Sequence, residues 1–163
     1  MKKLYSIMLV TILIFACQPK PKPVDIAAAK DAVNVLMDKY QTAWEAKDAS
    51  ALSALLTEDG LFCGTDPSEF MDKKMINDGW TQAFSNTTTN YSYSVDKREI
   101  RVTADGNSAI AIEQFTMKAI APKIPCRIVS HLIKTGDGWK FDFICWNLIP
   151  KNEDIGKLNK ALE

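Results

Sequence analysis

Gly138-Trp139-Lys140-Phe141-Asp142-Phe143-Ile144-Cys145-Trp146-Asn147-Leu148-Ile149 is the stretch from which the fold is read. It opens on alternation and becomes apolar on both faces from Phe143 to Ile149, the pattern of a strand covered on two sides and therefore central in its sheet. Asp137-Gly138 is a hairpin turn, so Arg127 to Lys134 is the antiparallel partner of Trp139 to Ile149. Further upstream, Tyr91, Tyr93 and Val95 share one face, and the apolar parity then moves to Ile100 and Val102. A one-residue slip of this kind predicts a bulge within Asp96 to Glu99. Asp105-Gly106-Asn107 turns the chain into another strand, whose parity moves again, from Ile110 and Ile112 to Phe115 and Met117. Two slips predict a strongly bent sheet.

The first half of the chain reads as helices. Ile26, Ala29, Val33, Leu36, Met37, Tyr40, Ala43 and Trp44 recur at three- and four-residue steps, so Val24 to Ala46 is an amphipathic helix. Asp48 caps a second, short helix through Leu56, with Leu52, Leu55 and Leu56 inward and Gly60 ending the turn. Gly60 to Gly64 is a short buried strand. Thr65-Asp66-Pro67-Ser68-Glu69 reads as a helix start, with Asp66 at the cap, Pro67 at the first position and Glu69 reaching back. A restart at Asp72 carries the apolar stripe Ile76, Trp80, Ala83 and Phe84. Lys151 to Glu163 is a polar tail or short helix. Helices followed by a bent four-stranded meander specify an α+β cone-shaped roll, in which N-terminal helices pack on a strongly bent, mostly antiparallel sheet.

Four segments carry a resemblance: Tyr40-Gln41-Thr42-Ala43-Trp44-Glu45-Ala46-Lys47-Asp48, Leu55-Leu56-Thr57-Glu58-Asp59-Gly60-Leu61-Phe62, Gly64-Thr65-Asp66-Pro67 and Gly138-Trp139-Lys140-Phe141. In order and spacing the chain resembles the nuclear transport factor 2-like superfamily, in its SnoaL-like and ketosteroid-isomerase-like branch, over roughly Ala29 to Pro150. The resemblance implies a conical pocket. In the isomerase branch a carboxylate moves a proton beside a carbonyl while a tyrosine and a protonated carboxyl hold the oxyanion. Carried onto this sequence, Asp66 before Pro67 is the base, and Tyr40 and His131 are its electrophilic partners. Ser130-His131 stands where the branch has aspartate followed by histidine, and a serine hydroxyl is a weaker donor than a protonated carboxyl. Each residue also has a structural role open to it: Asp66 as a helix cap, Tyr40 as a packed aromatic, and His131 as a satisfied interior histidine between Val129 and Ile133. Trp44, Phe62, Trp80, Phe115, Met117 and Phe143 are the expected ligand-binding walls of the cone, or simply its core. The resemblance further implies an open sheet face through which a homodimer could form.

At the other end, Met1-Lys2-Lys3 precedes the apolar run Leu4 to Phe15, and Ile14-Phe15-Ala16-Cys17 closes it. This resembles the lipobox of bacterial lipoproteins, which implies a signal peptide over residues 1–16, cleavage before Cys17, and lipidation of Cys17. A membrane-spanning helix needs about 20 apolar residues, more than this run provides. Gln18 after the cysteine favours the outer membrane over inner-membrane retention. Gln18-Pro19-Lys20-Pro21-Lys22-Pro23 alternates prolines and reads as a stiff spacer, so residues 17–23 form a linker. Residues 24–150 are then one domain and residues 151–163 its tail. The membrane, reached through the lipid, is the expected partner.

The chain holds 20 basic and 20 acidic residues, and loss of Lys2 and Lys3 leaves the rest slightly acidic. With no basic face and no glycine-rich phosphate loop, nucleic acid is not an expected partner. A single histidine and cysteines without zinc-type spacing give no metal constellation, and no cofactor motif is present. Cys63, Cys126 and Cys145 lie in apolar strand contexts as buried small residues, with a Cys63–Cys145 bridge as the sharper alternative. The expected function is binding of a small apolar molecule in the cone of a lipid-anchored envelope protein. The alternatives are cofactor-independent proton transfer, of isomerase or dehydratase type, and a non-catalytic assembly module.

Overall fold

The computed structural model describes residues 23–163. Helix α1, Ile26–Ala46, begins where the Asp25 side chain accepts from Ala28 N at 2.9 Å, and its buried stripe is the one read from the spacing. It ends at Lys47, whose φ of 56° turns the chain sharply. Asp48 then caps α2, Ala49–Ala54, by accepting from Ala51 N. Asp72 caps α3, Lys73–Phe84, which buries Ile76, Trp80 and Phe84. Side-chain oxygens at all three starts satisfy helix amides that would otherwise lack partners.

Six strands form one sheet: β1 (Leu56–Cys63), β2 (Phe70–Met71), β3 (Ser94–Val102), β4 (Ser108–Thr116), β5 (Cys126–Thr135) and β6 (Gly138–Leu148), in the order β2-β1-β6-β5-β4-β3. Among the described residues, only the β1–β6 pair is parallel. β6 is central, as its two apolar faces require. A short α4, Ile155–Ala161, follows and lies largely exposed. The α+β roll is therefore the observed architecture, with α1 and α3 closing the concave face.

Three local expectations are corrected. Gly60 does not end a turn; it lies within β1, which already starts at Leu56. The β1–β6 register slips between Leu56 and Leu61, and a Cβ on Gly60 would come within 3.2 Å of both Leu56 Cβ and Thr57 O, so this glycine permits an irregular strand. Thr65 to Glu69 is a turn and not a helix start. Glu69 does reach back to Asp66 N at 3.1 Å, but Phe70 enters β2 before a helix can propagate. Ser108 to Met117 has no parity slip: Ala109, Ala111, Glu113, Phe115 and Met117 all point inward, and pairing with β5 is continuous. Two alanines and a glutamate hold inner positions that hydropathy assigns to Ile110 and Ile112. The first bulge falls at Asp96 as expected; the second is at Asp142, where the β5–β6 register slips between His131 and Leu132.

That second bulge decides which residues face the cone. On β6, Trp139, Phe141, Ile144 and Trp146 are buried, whereas Phe143 pairs with His131 and is half-buried on the outer face. Phe143 is thus not a wall of the pocket.

Candidate functional site

A cavity of about 240 Å³ opens where the C-terminal ends of α1, β1 and β6 meet α3. Trp44 comes from α1, Phe62 from β1, Trp80 from α3 and Trp146 from β6; Tyr91, Met71 and Ile120 complete an apolar wall. The rings brace one another. Trp44 lies 5.2 Å from Trp146, 5.5 Å from Tyr91 and 5.8 Å from Trp80 between centroids, and Phe62 lies 5.8 Å from Trp80. Such tilted and edge-on aromatic packing holds side chains rigidly.

One carboxylate belongs to this wall. Glu69 folds over Gly64, whose amide donates to Glu69 O at 2.8 Å. A Cβ at Gly64 would sit 1.9 Å from Glu69 Oε2 and 2.7 Å from Glu69 Cβ, so only glycine allows the turn to close in this way. Glu69, Tyr91, Met71 and Ile120 went unrecognised in the sequence. Glu69 reads as part of a capping box and Tyr91 as the start of a strand face shared with Tyr93 and Val95, while Met71 and Ile120 lie in a two-residue strand and a turn without usable periodicity.

The sequence-derived ligand set divides into three. Trp44, Phe62 and Trp80 line the cavity; Phe115 and Met117 are fully buried core; Phe143 is on the other side of the sheet.

The sequence-derived catalytic set does not converge. Tyr40 is fully buried, and its hydroxyl accepts from Trp146 Nε1 at 3.1 Å. Burial pushes its phenol well above the usual range, so it stays protonated. Asp66 is exposed in the turn, where the Ser68 hydroxyl and amide both donate to its carboxyl and hold its pKa below the ordinary value. An ionised carboxylate in solvent is a turn residue, not a base desolvated by an apolar cone. His131 faces outward on β5, away from the cavity, because parity places Ser130 inside and His131 outside. Its ring contacts Ser108 Oγ at 2.8 Å and Asp142 Oδ2 at 2.9 Å.

A second polar group lies inside the roll. Arg98 on β3 donates from Nε to Glu113 Oε2 and from Nη1 to Asp38 Oδ1, each at 2.6 Å, which ties β4 to α1. Glu113 is wholly buried, and desolvation raises its pKa despite the opposing charge of Arg98. Glu113 Oε1, Tyr93 Oη and Ser130 Oγ have no protein partner among the described residues.

The comparisons with known proteins agree with this architecture. An NTF2-like protein of unknown function from Pseudomonas putida KT2440 superposes with a TM-score of 0.66 at 14% identity, covering 78% of this chain and 91% of its own. A DUF3225-family protein of unknown function from Pectobacterium atrosepticum gives 0.65 at 17% identity, covering 76% and 93%. An NTF2-like protein with a cystatin-like fold from Novosphingobium aromaticivorans gives 0.64 at 15% identity, covering 82% and 90%. These likenesses establish the fold alone. Among curated proteins, none matches the sequence. The family model described as SnoaL-like domain matches residues 33–143, most of the folded region, and the chain therefore belongs to the SnoaL-like domain family.

Proposed function

We propose that this protein binds a small, ring-containing apolar molecule in the cavity between Trp44, Trp80 and Trp146, and that a lipid on Cys17 holds it at the cell envelope. The observation that carries the binding reading is the composition of the wall. Five aromatic side chains, Met71 and Ile120 surround the cavity, and Glu69 is its one carboxylate. Roughly 150 Å³ accommodates a benzene-sized molecule and drug-sized ligands need about 300 Å³ or more, so about 240 Å³ suits a molecule of one or two rings.

Binding is favoured over proton transfer because Asp66, Tyr40 and His131 do not meet in the cavity, whose wall is mostly aromatic. Asp66 is in solvent and His131 is on the opposite face. The anchor reading is supported by Ile14-Phe15-Ala16-Cys17 after an apolar run, which lies outside the described residues. Among the described residues, no helix is long and apolar enough to cross a membrane.

Naphthalene or indole added to the protein is expected to quench tryptophan fluorescence saturably. Ala83→Trp, which fills the cavity from α3, is expected to abolish saturation while leaving the far-ultraviolet spectrum unchanged. Linear, non-saturating quenching in the unsubstituted protein, or equal saturation in Ala83→Trp, would remove the binding reading.

A further inference from the structure

The outer face of the sheet carries a second arrangement, unconnected with the aromatic cavity. Ser108 opens β4, His131 lies on β5, and Asp142 is the extra residue of the β6 bulge. Ser108 Oγ is 2.8 Å from His131 Nε2, and His131 Nδ1 is 2.9 Å from Asp142 Oδ2. Asp142 as a carboxylate only accepts, so Nδ1 must carry the proton. In the neutral ring Nε2 is then the acceptor, and the Ser108 hydroxyl donates to it. This is the order of roles in a serine–histidine–aspartate triad, recognised by geometry and not by chain order.

We infer that Ser108 is a nucleophile, activated by His131 as general base and oriented through Asp142, that accepts acyl or phosphoryl groups from activated donors. The bulge is what builds it. Without the additional residue at position 142, the β5–β6 register would not place a carboxylate beside Nδ1 on the same face as Phe143. His131 and Asp142 retain 40% and 38% side-chain exposure, so the chain of hydrogen bonds is open to a reactant. Ile110, 47% exposed, and half-buried Ile133 and Phe143 border it and suit a donor with an apolar portion.

The reaction balances with groups present. Ser108 Oγ attacks an ester carbonyl carbon as its proton passes to His131 Nε2. The tetrahedral adduct collapses, the C–O bond to the leaving alcohol breaks, and His131 returns the proton to that oxygen. Water, deprotonated by the same Nε2, then releases the acid from acyl-Ser108. The Ser108 amide is already engaged, donating to Thr103 Oγ1 at 3.1 Å, so it does not serve the oxyanion. Positioned general bases contribute about 10²–10⁴-fold, and without the Ser108 amide as an oxyanion donor the site suits donors with good leaving groups, such as aryl esters and fluorophosphates.

The test uses the full chain with diisopropyl fluorophosphate, in which Ser108 Oγ attacks phosphorus, the P–F bond breaks and fluoride leaves. Peptide mass spectrometry is expected to place the adduct on Ser108. Ser108→Ala should lose it, and His131→Gln should slow labelling about 100-fold or more. Asp142→Asn is the decisive variant. An amide at position 142 can donate to Nδ1, which moves the ring proton to Nε2 and removes the acceptor, and labelling should fall about as far as in His131→Gln. A network with only a structural role would not depend on the tautomer. No adduct on Ser108, or labelling of a folded Asp142→Asn protein at the unsubstituted rate, would overturn the proposal.

Discussion

Glu113 occupies an inner position on β4 with one carboxylate oxygen on Arg98 Nε and the other unpartnered. Its pKa is raised chiefly by desolvation, so the folded chain holds this proton more tightly than the unfolded chain does. Stability should therefore rise as pH falls through the raised value and level off below the ordinary glutamate range; conversely it is lost as pH rises through that window. Glu58, Asp66, Asp105 and Asp154 are shifted the other way, by hydrogen bonds to Lys73, Ser68, Thr103 and Lys157 respectively, and lose their contributions only as pH falls below ordinary carboxylate values. Urea melts of the unsubstituted protein and Glu113→Gln across mildly acidic to neutral pH separate the two windows. The difference between the proteins should narrow or widen only above the ordinary glutamate pKa, in favour of the unsubstituted chain toward acid. Gly64 is a second residue whose role is steric. Gly64→Ala is expected to cost roughly 1–3 kcal/mol by overpacking against Glu69. Because Glu69 Cβ is in the way as well as its carboxyl, Glu69→Gly should reduce that cost in a double-mutant cycle by more than Glu69→Ala does. Neither residue was legible beforehand. A buried glutamate on an alternating strand and a glycine facing its own turn leave no mark in periodicity.

At the scale of elements, the sequence was most readable where a cap and a 3.6-residue stripe coincide. Asp48 caps the helix expected of it, α3 restarts at Asp72 as read, and α1 and α3 bury the stripes read from spacing except half-buried Ile26 and Ala83. Strand faces were less readable, since a bulge inverts parity and the residues beyond it change sides. The Asp96 bulge announces itself through apolar residues on both flanks, whereas the Asp142 bulge sits where alternation gives way to a run apolar on both faces and is silent. Its consequence is measurable on β6. Trp146, 3% exposed and packed against Trp44 and Phe115, should cost about 3–5 kcal/mol as Trp146→Ala. Phe143→Ala, on the outer face, should cost roughly 1–2 kcal/mol for its partial burial. Equal costs in denaturant melts would contradict the observed parity. The same outer face pairs Cys63 with Cys145 across the parallel β1–β6 ladder, both as free thiols. Adjacent strands lie about 4.8 Å apart, within the Cα separation a disulfide spans. Diamide is expected to link these two and to leave Cys126, wholly buried, as a thiol; peptide mapping that finds Cys126 in the bridge would contradict the register.

For the whole molecule, the direction in which the chain enters the domain bears on how the cavity is presented. Val24 packs against the β3–β4 turn, where its Cγ1 lies 2.3 Å from a Cβ built on Gly106. Gly106 has a φ of +68°, so the turn and the packing both require glycine there. That turn is at the end of the sheet where β6 begins, as the pairs Ser108–Ile133 and Thr135–Gly138 show. Trp146, Phe62 and the cavity are at the other end, where β6 and its parallel partner β1 finish. A lipid on Cys17, with the proline-alternating segment before Val24, would thus bring the Gly106 end toward the bilayer and turn the cavity mouth away from it. Among the described residues the first capping contact belongs to Asp25, so a lipid on Cys17 would not be needed for helix α1 to start. Cys17→Ala should abolish incorporation of radiolabelled palmitate and release the protein from the membrane fraction without changing its melting temperature. Naphthalene should then quench tryptophan with the same affinity in the soluble Cys17→Ala protein and in the lipidated protein reconstituted in vesicles, after correction for partitioning of naphthalene into lipid. A large loss of affinity on the vesicles would place the mouth against the bilayer and reverse the orientation argued from Val24 and Gly106.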